Sequence, residues 1–267
     1  MTIIDALILG LIQGVTEFLP VSSSAHLFLA HRLLGLQEPR LVFDLILHLG
    51  TLIAVIYFLR SEITQIVAAL FRSRQSLWTS PSDWDRRDIM LVILSSLPTG
   101  IIGIMFHEMV ESGITFKGVG IRYLILSCGL LLTRIRFMQK DDPNRIEWWE
   151  ALLIGVVQGL AVFPGLSRAG STIIFMLVIG IAPSRAVKYS FLISIPAILG
   201  GTLMAMRHGL SEIYDPMLFV TGFLVAMVSG YIALWLVEHF VIRGRFYYFA
   251  VYTLFLSTLC FGLHIHF

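Results

Sequence analysis

Long apolar runs alternate with short polar breaks along nearly the whole chain. Six of the runs, Leu41 to Leu59, Ile89 to Phe106, Ile121 to Ile135, Val187 to Met206, Met217 to Val237 and Tyr247 to His264, come near the roughly 20 residues that cross a bilayer core. Each predicts a spanning helix. Two further stretches, Thr2 to Leu36 and Trp148 to Ile181, are long enough but broken by Pro, Gly and polar residues. They predict interrupted helices, and irregular backbone at membrane depth persists only where protein or a water-filled cavity satisfies it.

Composition fits this pattern. The 267 residues are 57% hydrophobic and 13% charged, with a mean hydropathy of +0.86, so a soluble core is excluded and an all-α polytopic membrane protein is predicted. A net charge of +2 is modest, and the basic residues fall between apolar runs, which excludes nucleic acid as a partner. Cys128 and Cys260 lie inside apolar runs without metal-ligand spacing. No basic segment with a small-residue cleavage site precedes the first run, so the chain is expected to insert whole.

Charge also orients the spans. Arg60, Arg72, Arg74, Arg86 and Arg87 in a loop from Arg60 to Asp88, and Arg134, Arg136, Lys140 and Arg145 in a second, place both loops in the cytoplasm by the positive-inside rule. Arg185 with Lys188, and Arg243 with Arg245, mark two more cytoplasmic turns. The more acidic turns His107 to Ser112 and His208 to Asp215 are external, as is Gly35 to Arg40. On this threading Trp148 to Ile181 starts and ends in the cytoplasm, and Thr2 to Leu36 enters from the opposite face, both as re-entrant hairpins.

The two broken stretches resemble one another: QGVTEFLPVSSSAHL (Gln13 to Leu27) and QGLAVFPGLSRAGST (Gln158 to Thr172) share Gln-Gly, an aromatic, a Pro and a Ser at similar spacing. This predicts an inverted-topology repeat within a single membrane domain. Repeat one is 1–135 with its hairpin at 2–36, a cytoplasmic linker is 136–147, and repeat two is 148–267 with its hairpin at 148–181. Such repeats build a site where broken helices meet near the midplane, so the two loops should face one another. Pro98 and Pro196, both in Ser-x-Pro contexts, sit in spans that do not correspond under this scheme.

The candidate chemistry lies in those loops. Gln13 and Glu17 share a helix face, and an ionisable group near the bilayer centre costs roughly 2.5 to 3.5 kcal/mol unless it pairs, lines a cavity or binds an ion. Pro20 ends the first half-helix, and Ser22, Ser23 and Ser24 are N-cap residues for the next, whose free N–H groups favour an anion. His26 is a general acid or base close by. His48, in an apolar run, reads as structural. Arg168 needs an anion: either a phosphate, with Ser167, Gly170, Ser171 and Thr172 around it, or Glu17 in an ion pair across the repeats. Trp148, Trp149, Tyr247 and Tyr248 read as interfacial belts, and Trp78 and Trp84 as headgroup anchors.

At these residues the chain resembles the undecaprenyl-diphosphate phosphatase family, the bacitracin-resistance type of membrane phosphatase. The resemblance covers essentially the whole length, through QGVTEFLPVSSSAHL, FDLILHLGTLIAV (Phe43 to Val55) and PGLSRAGSTI (Pro164 to Ile173). It implies an inverted repeat with re-entrant hairpins in the bacterial plasma membrane, and hydrolysis of a long-chain prenyl diphosphate among membrane lipids. It further implies Glu17, Ser23, His26 and Arg168 as catalytic residues, with Gln13 in the first place of a Glu/Gln-x-x-x-Glu pattern. Ala25 and Ala169 depart from the Gly and Ser usual in the family. A divalent cation, magnesium or calcium, is expected on Glu17, and a homodimer is a further expectation. Ser23, His26 and water all stand as nucleophiles. A transporter of a phosphorylated prenyl lipid is the competing function, since inverted repeats also build carriers.

Overall fold

The structure, a computed structural model, describes residues 1–36, 41–71, 84–112, 115–135, 140–206 and 215–266. Arg72, Arg74, Trp78, Arg136 and the stretches Gln37 to Arg40 and His208 to Tyr214, all used above for orientation or anchoring, lie outside the described residues. Within them the chain forms eleven α-helices and no strand: α1 Ile3–Phe18, α2 Ser23–Leu33, α3 Leu41–Phe58, α4 Arg60–Phe71, α5 Arg86–Ser112, α6 Phe116–Leu132, α7 Trp148–Leu160, α8 Arg168–Val178, α9 Pro183–Met206, α10 Pro216–Ile242 and α11 Phe249–His266. Side chains cap several of them. Thr2 and Asp5 form a reciprocal box at α1, and Asp215 caps α10 ahead of Pro216 at its first turn.

Six spans were expected, and the helices support a smaller number. Four stretches, Arg86–Phe106, Pro183–Met204, Pro216–Ile242 and Phe246–His264, are long and apolar enough to cross a membrane, with a fifth if Val42–Phe58 and Arg60–Ala69, bent by 69°, count as one. The predicted span at Ile121 to Ile135 is α6, a 17-residue helix. The predicted loop Arg60 to Asp88 begins instead with α4. Its Arg60, Glu62 and Gln65 disguise an apolar stripe that buries Ile66 against the core. The predicted outer turn from His107 completes α5.

Close helix contacts fix relative directions. On α1, an added Cβ at Gly14 would sit 2.0 Å from the Ser229 hydroxyl and 2.6 Å from the Ala226 carbonyl of α10, while one at Gly10 would sit 2.8 Å from the Gly222 carbonyl. Only glycine lets the two backbones approach this far. Rising numbers on α1 meet rising numbers on α10, so the helices run parallel, and α3 joins them with Phe43 and Leu47 against Gly222 and Thr51 against Gly230. The same construction recurs elsewhere. Gly155 of α7 faces the Ser95 carbonyl at 2.1 Å and Gly159 faces Ile102, which makes α7 parallel to α5. Between the two groups α3 and α9 run antiparallel: Phe58 at the end of α3 packs edge-on to Phe191 near the start of α9, whose Lys188 pairs with Glu62 of α4 at 2.7 Å.

Charged residues at the start of α9 tie it down. Arg185 bonds Asp88 of α5, and its guanidinium lies 3.7 Å over the Trp84 ring. Trp84 is therefore not a headgroup anchor. It is 7% exposed, and its face is occupied by a cation from within the protein.

Candidate functional site

Two breaks in the helical ladder meet. The first is Leu19 to Ser22 between α1 and α2; the second is Ala161 to Ser167 between α7 and α8. The Ser167 hydroxyl donates to the Leu19 carbonyl at 3.1 Å, and the Gly165 N–H donates to the Ser22 hydroxyl at 2.9 Å. Ser22 is held at φ 64°, a left-handed position that costs a β-carbon roughly 1 to 2 kcal/mol. That turn aims the Ser22 hydroxyl across at the second loop. It makes no capping bond of its own, contrary to the N-cap role expected for the serines. Ser167 does cap, accepting from the Gly170 N–H at 3.1 Å.

Glu17 is the hub. One carboxylate oxygen accepts from the Arg168 guanidinium at 2.7 Å, and the other accepts from the Ser23 hydroxyl at 2.7 Å and the Gln13 amide at 3.1 Å. Gln13, Glu17, Ser23 and Arg168 are thus brought together from both loops. Arg168 is not satisfied by this pair: its Nη1 is buried without a hydrogen-bond partner, as is the Gln13 side-chain oxygen. His48 of α3 approaches to 3.8 Å of the same Glu17 oxygen through Nε2, while its Nδ1 faces the Asp44 carbonyl at 2.7 Å.

His26 is placed elsewhere. Its Nδ1 lies 2.9 Å from the Ser22 carbonyl, which can only accept, so Nδ1 carries the proton; Nε2 then accepts from the Tyr252 hydroxyl at 2.9 Å. Tyr123 closes the cluster at 3.3 Å. The ring has folded back one helical turn, away from Glu17 and Ser23. Ser24 contacts the Ser22 hydroxyl at 3.3 Å, and buried Thr172 has its hydroxyl 2.7 Å from Ser190 and donates to the Arg168 backbone carbonyl at 2.9 Å, so neither side chain bonds the Glu17 carboxylate or the Arg168 guanidinium. The Ser171 N–H bonds the Ser167 carbonyl within the first turn of α8.

Arg168 and His48 also line a cavity of about 660 Å³ bounded by α3, α5, α7 and α9, with Gln158 and Thr99 among its polar walls. The Gln158 amide donates to the Thr99 hydroxyl at 3.1 Å, leaving its oxygen buried without a partner. A metal has less to hold it. Among the described residues no three His, Cys, Asp or Glu side chains gather as a cage. Glu17 already accepts from three donors, one of them a cation, so the side chains do not fit a resident divalent ion.

Known proteins resemble this sequence along most of its length. Residues 6–259 match the family model described as "Bacitracin resistance protein BacA". The chain belongs to the BacA family. A protein named undecaprenyl-diphosphatase from Desulfatibacillum aliphaticivorans is 36% identical over 263 residues, covering 93% of this chain and 94% of that one. Proteins of the same name from Methanobrevibacter smithii and Alkaliphilus metalliredigens are 38% and 37% identical, covering 89% and 95% of this chain and the same shares of their own.

In this BacA chain the sequence reading missed His48, Gln158 and Thr99 as site walls. The signal for His48 was present: it lies within FDLILHLG, seven residues before Val55, in the one span whose motif was noted but not used. Contact between the loops is tight enough to test. A Cβ at Gly170 would stand 2.9 Å from the Pro20 ring. Gly170→Ala is expected to push the loops apart and cut turnover by about tenfold while the unfolding temperature in detergent falls by only a few degrees, because Pro20 sits on a loop that can yield.

Proposed function

We propose that this protein hydrolyses undecaprenyl diphosphate to undecaprenyl phosphate and inorganic phosphate, recycling the lipid carrier of peptidoglycan synthesis and conferring resistance to bacitracin. The carrying observation is a buried Glu17 that joins the Ser23 hydroxyl to a half-free guanidinium, Arg168, within a family whose members carry the name undecaprenyl-diphosphatase. In this reading Arg168 binds the terminal phosphate through its unpartnered Nη1, and the N–H groups that open α8 add partial positive charge. Glu17 takes the Ser23 proton as the hydroxyl oxygen bonds to the terminal phosphorus, the phosphorus–bridging oxygen bond breaks, and the prenyl monophosphate leaves. Water then releases phosphate from Ser23. His48 is the imidazole facing this cluster, and His26 positions the first turn of α2 through Ser22 and Tyr252.

Acid quench during turnover with substrate labelled in the terminal phosphate should trap label on Ser23, and Ser23→Ala should abolish it. Label on a histidine, or no label with full activity in Ser23→Ala, would refute this route. A magnesium or calcium ion would come with the substrate, Glu17 would be the residue to hold it, and it would supply positive charge to the diphosphate oxygens. Chelator should then raise KM, and calorimetry on protein without substrate should find no magnesium binding; tight binding to the free protein would contradict it.

The helix directions support a further coarse reading. α1, α3 and α10 run one way and α5, α7 and α9 the other, as two inverted repeats with re-entrant hairpins α1–α2 and α7–α8 require. The placement is the plasma membrane, with the starts of α5 and α9 in the cytoplasm and the repeats divided at the linker 136–147. Transport of a phosphorylated prenyl lipid would require those starts to part, against the Arg185–Asp88 pair between them.

A further inference from the structure

Four of the glycines that line the cavity have no neighbour in the protein to explain them. An added Cβ at Gly100 or Gly103 of α5, or at Gly200 or Gly201 of α9, would meet no atom within 4 Å, and all four line the cavity that Arg168 and His48 enter. Each costs a helix about 1 kcal/mol relative to alanine. Gly14 and Gly155 recover such a cost through backbone contacts with a neighbouring helix; these four do not. They follow the two Ser-x-Pro sequences, Ser96-Leu97-Pro98 and Ser194-Ile195-Pro196, that the repeat left unexplained. Both prolines remove a ladder hydrogen bond just before the glycines.

At its inner end the groove has polar walls. Gln158, 3% exposed, bridges α5 and α9 by donating to Thr99 and to the Ile193 carbonyl at 3.4 Å, and its oxygen has no partner. Beyond it the walls are glycine, Ile104, Pro196 and Leu203. Polar at the Arg168 end, and beyond it mostly apolar with a run of glycines along α5 and α9, the groove has the character of an amphiphile's binding site.

Resting on the hydrolase reading, we propose that the prenyl chain of the diphosphate substrate leaves the site along this groove, between α5 and α9, with the glycines as its floor. Its first isoprene units lie against Gly100, Gly103, Gly200 and Gly201, so the enzyme selects long-chain prenyl diphosphates by contacts made here. The Ser-x-Pro-to-glycine segments are then two sides of one lipid channel and need no place in the repeat.

Two measurements test this. Gly100→Leu and Gly200→Leu extend into the groove from positions where the first added carbon meets no protein atom within 4 Å. They should lower the kcat/KM ratio for undecaprenyl over farnesyl diphosphate by about tenfold, the contact of roughly two buried methylenes. An unchanged ratio overturns the proposal. Separately, a long-chain prenyl diphosphate with a diazirine on its first isoprene units should cross-link the wild-type protein within 94–106 and 194–206. Adducts confined to α6 and α11, or variants that change oligomeric state without changing labelling, overturn it. Labelling of the groove without phosphate release from either substrate would support the channel and refute the hydrolase, whereas hydrolysis with an unlabelled groove would do the reverse.

Discussion

Arg168→Ala is expected to cut phosphate release from undecaprenyl diphosphate by roughly a thousandfold and also to destabilise the protein, whereas Glu17→Ala removes activity with a smaller loss of stability. The activity loss reflects one preorganised cation on the transferred phosphoryl group. The stability difference comes from burial. Glu17 is 8% exposed and Arg168 14%, and Arg168 reaches a cavity that can hydrate it. Deleting the arginine strands a carboxylate, a change that typically costs about 3 to 5 kcal/mol. The double variant separates the two roles. If the pair were only structural, removing both partners would restore stability and activity together; for a phosphate clamp, stability should return in thermal unfolding while turnover stays lost.

Gly14→Val should be the most disruptive single change on the helix faces, lowering the unfolding temperature in detergent by an amount that corresponds to 1 to 3 kcal/mol or more, about the cost of forcing atoms into a packed core. The first added carbon falls 2.0 Å from the Ser229 hydroxyl, 2.6 Å from the Ala226 carbonyl and 2.8 Å from the Gly230 nitrogen. Ser229→Ala should not rescue it, because backbone still blocks the space. Gly155→Ala, against the Ser95 carbonyl at 2.1 Å, is expected to behave alike on the other half. Gly262→Ala, inside α11 with nothing within 4 Å, should not destabilise and should gain up to about 1 kcal/mol. Equal effects at all three positions would show that the close helix approach is not holding the fold.

Much of the site could be read from the chain alone. A carboxylate and a guanidinium inside apolar stretches have few partners, so the meeting of Glu17 with Arg168 follows from their cost in a membrane. His48 escaped because an imidazole in an apolar run looks the same whether it packs or faces a cavity; only the position of α1 decides. His26 was placed beside Ser23 by its spacing, yet its rotamer answers to Tyr123 and Tyr252, which lie far away in sequence. Trp84 looked interfacial because its partner, Arg185, comes a hundred positions later. The expected span at Ile121 to Ile135 corresponds to α6, which Thr115 caps ahead of that run and Thr133 ends within it, boundaries that hydropathy alone does not mark.

The parallel seating of α1 on α10, and of α7 on α5, has a consequence for how the molecule is made. The ribosome delivers α1 first, carrying Gln13 and Glu17, but Gly222, Ala226 and Ser229 that receive it come in the last quarter of the chain. Until then those polar groups lack their docking helix, and α1 must wait at the translocon or the membrane surface. Because each half supplies the docking helix of the other, neither can mature alone. Two separately expressed halves, divided in the linker 136–147, should be unstable singly and recover activity only when co-translated.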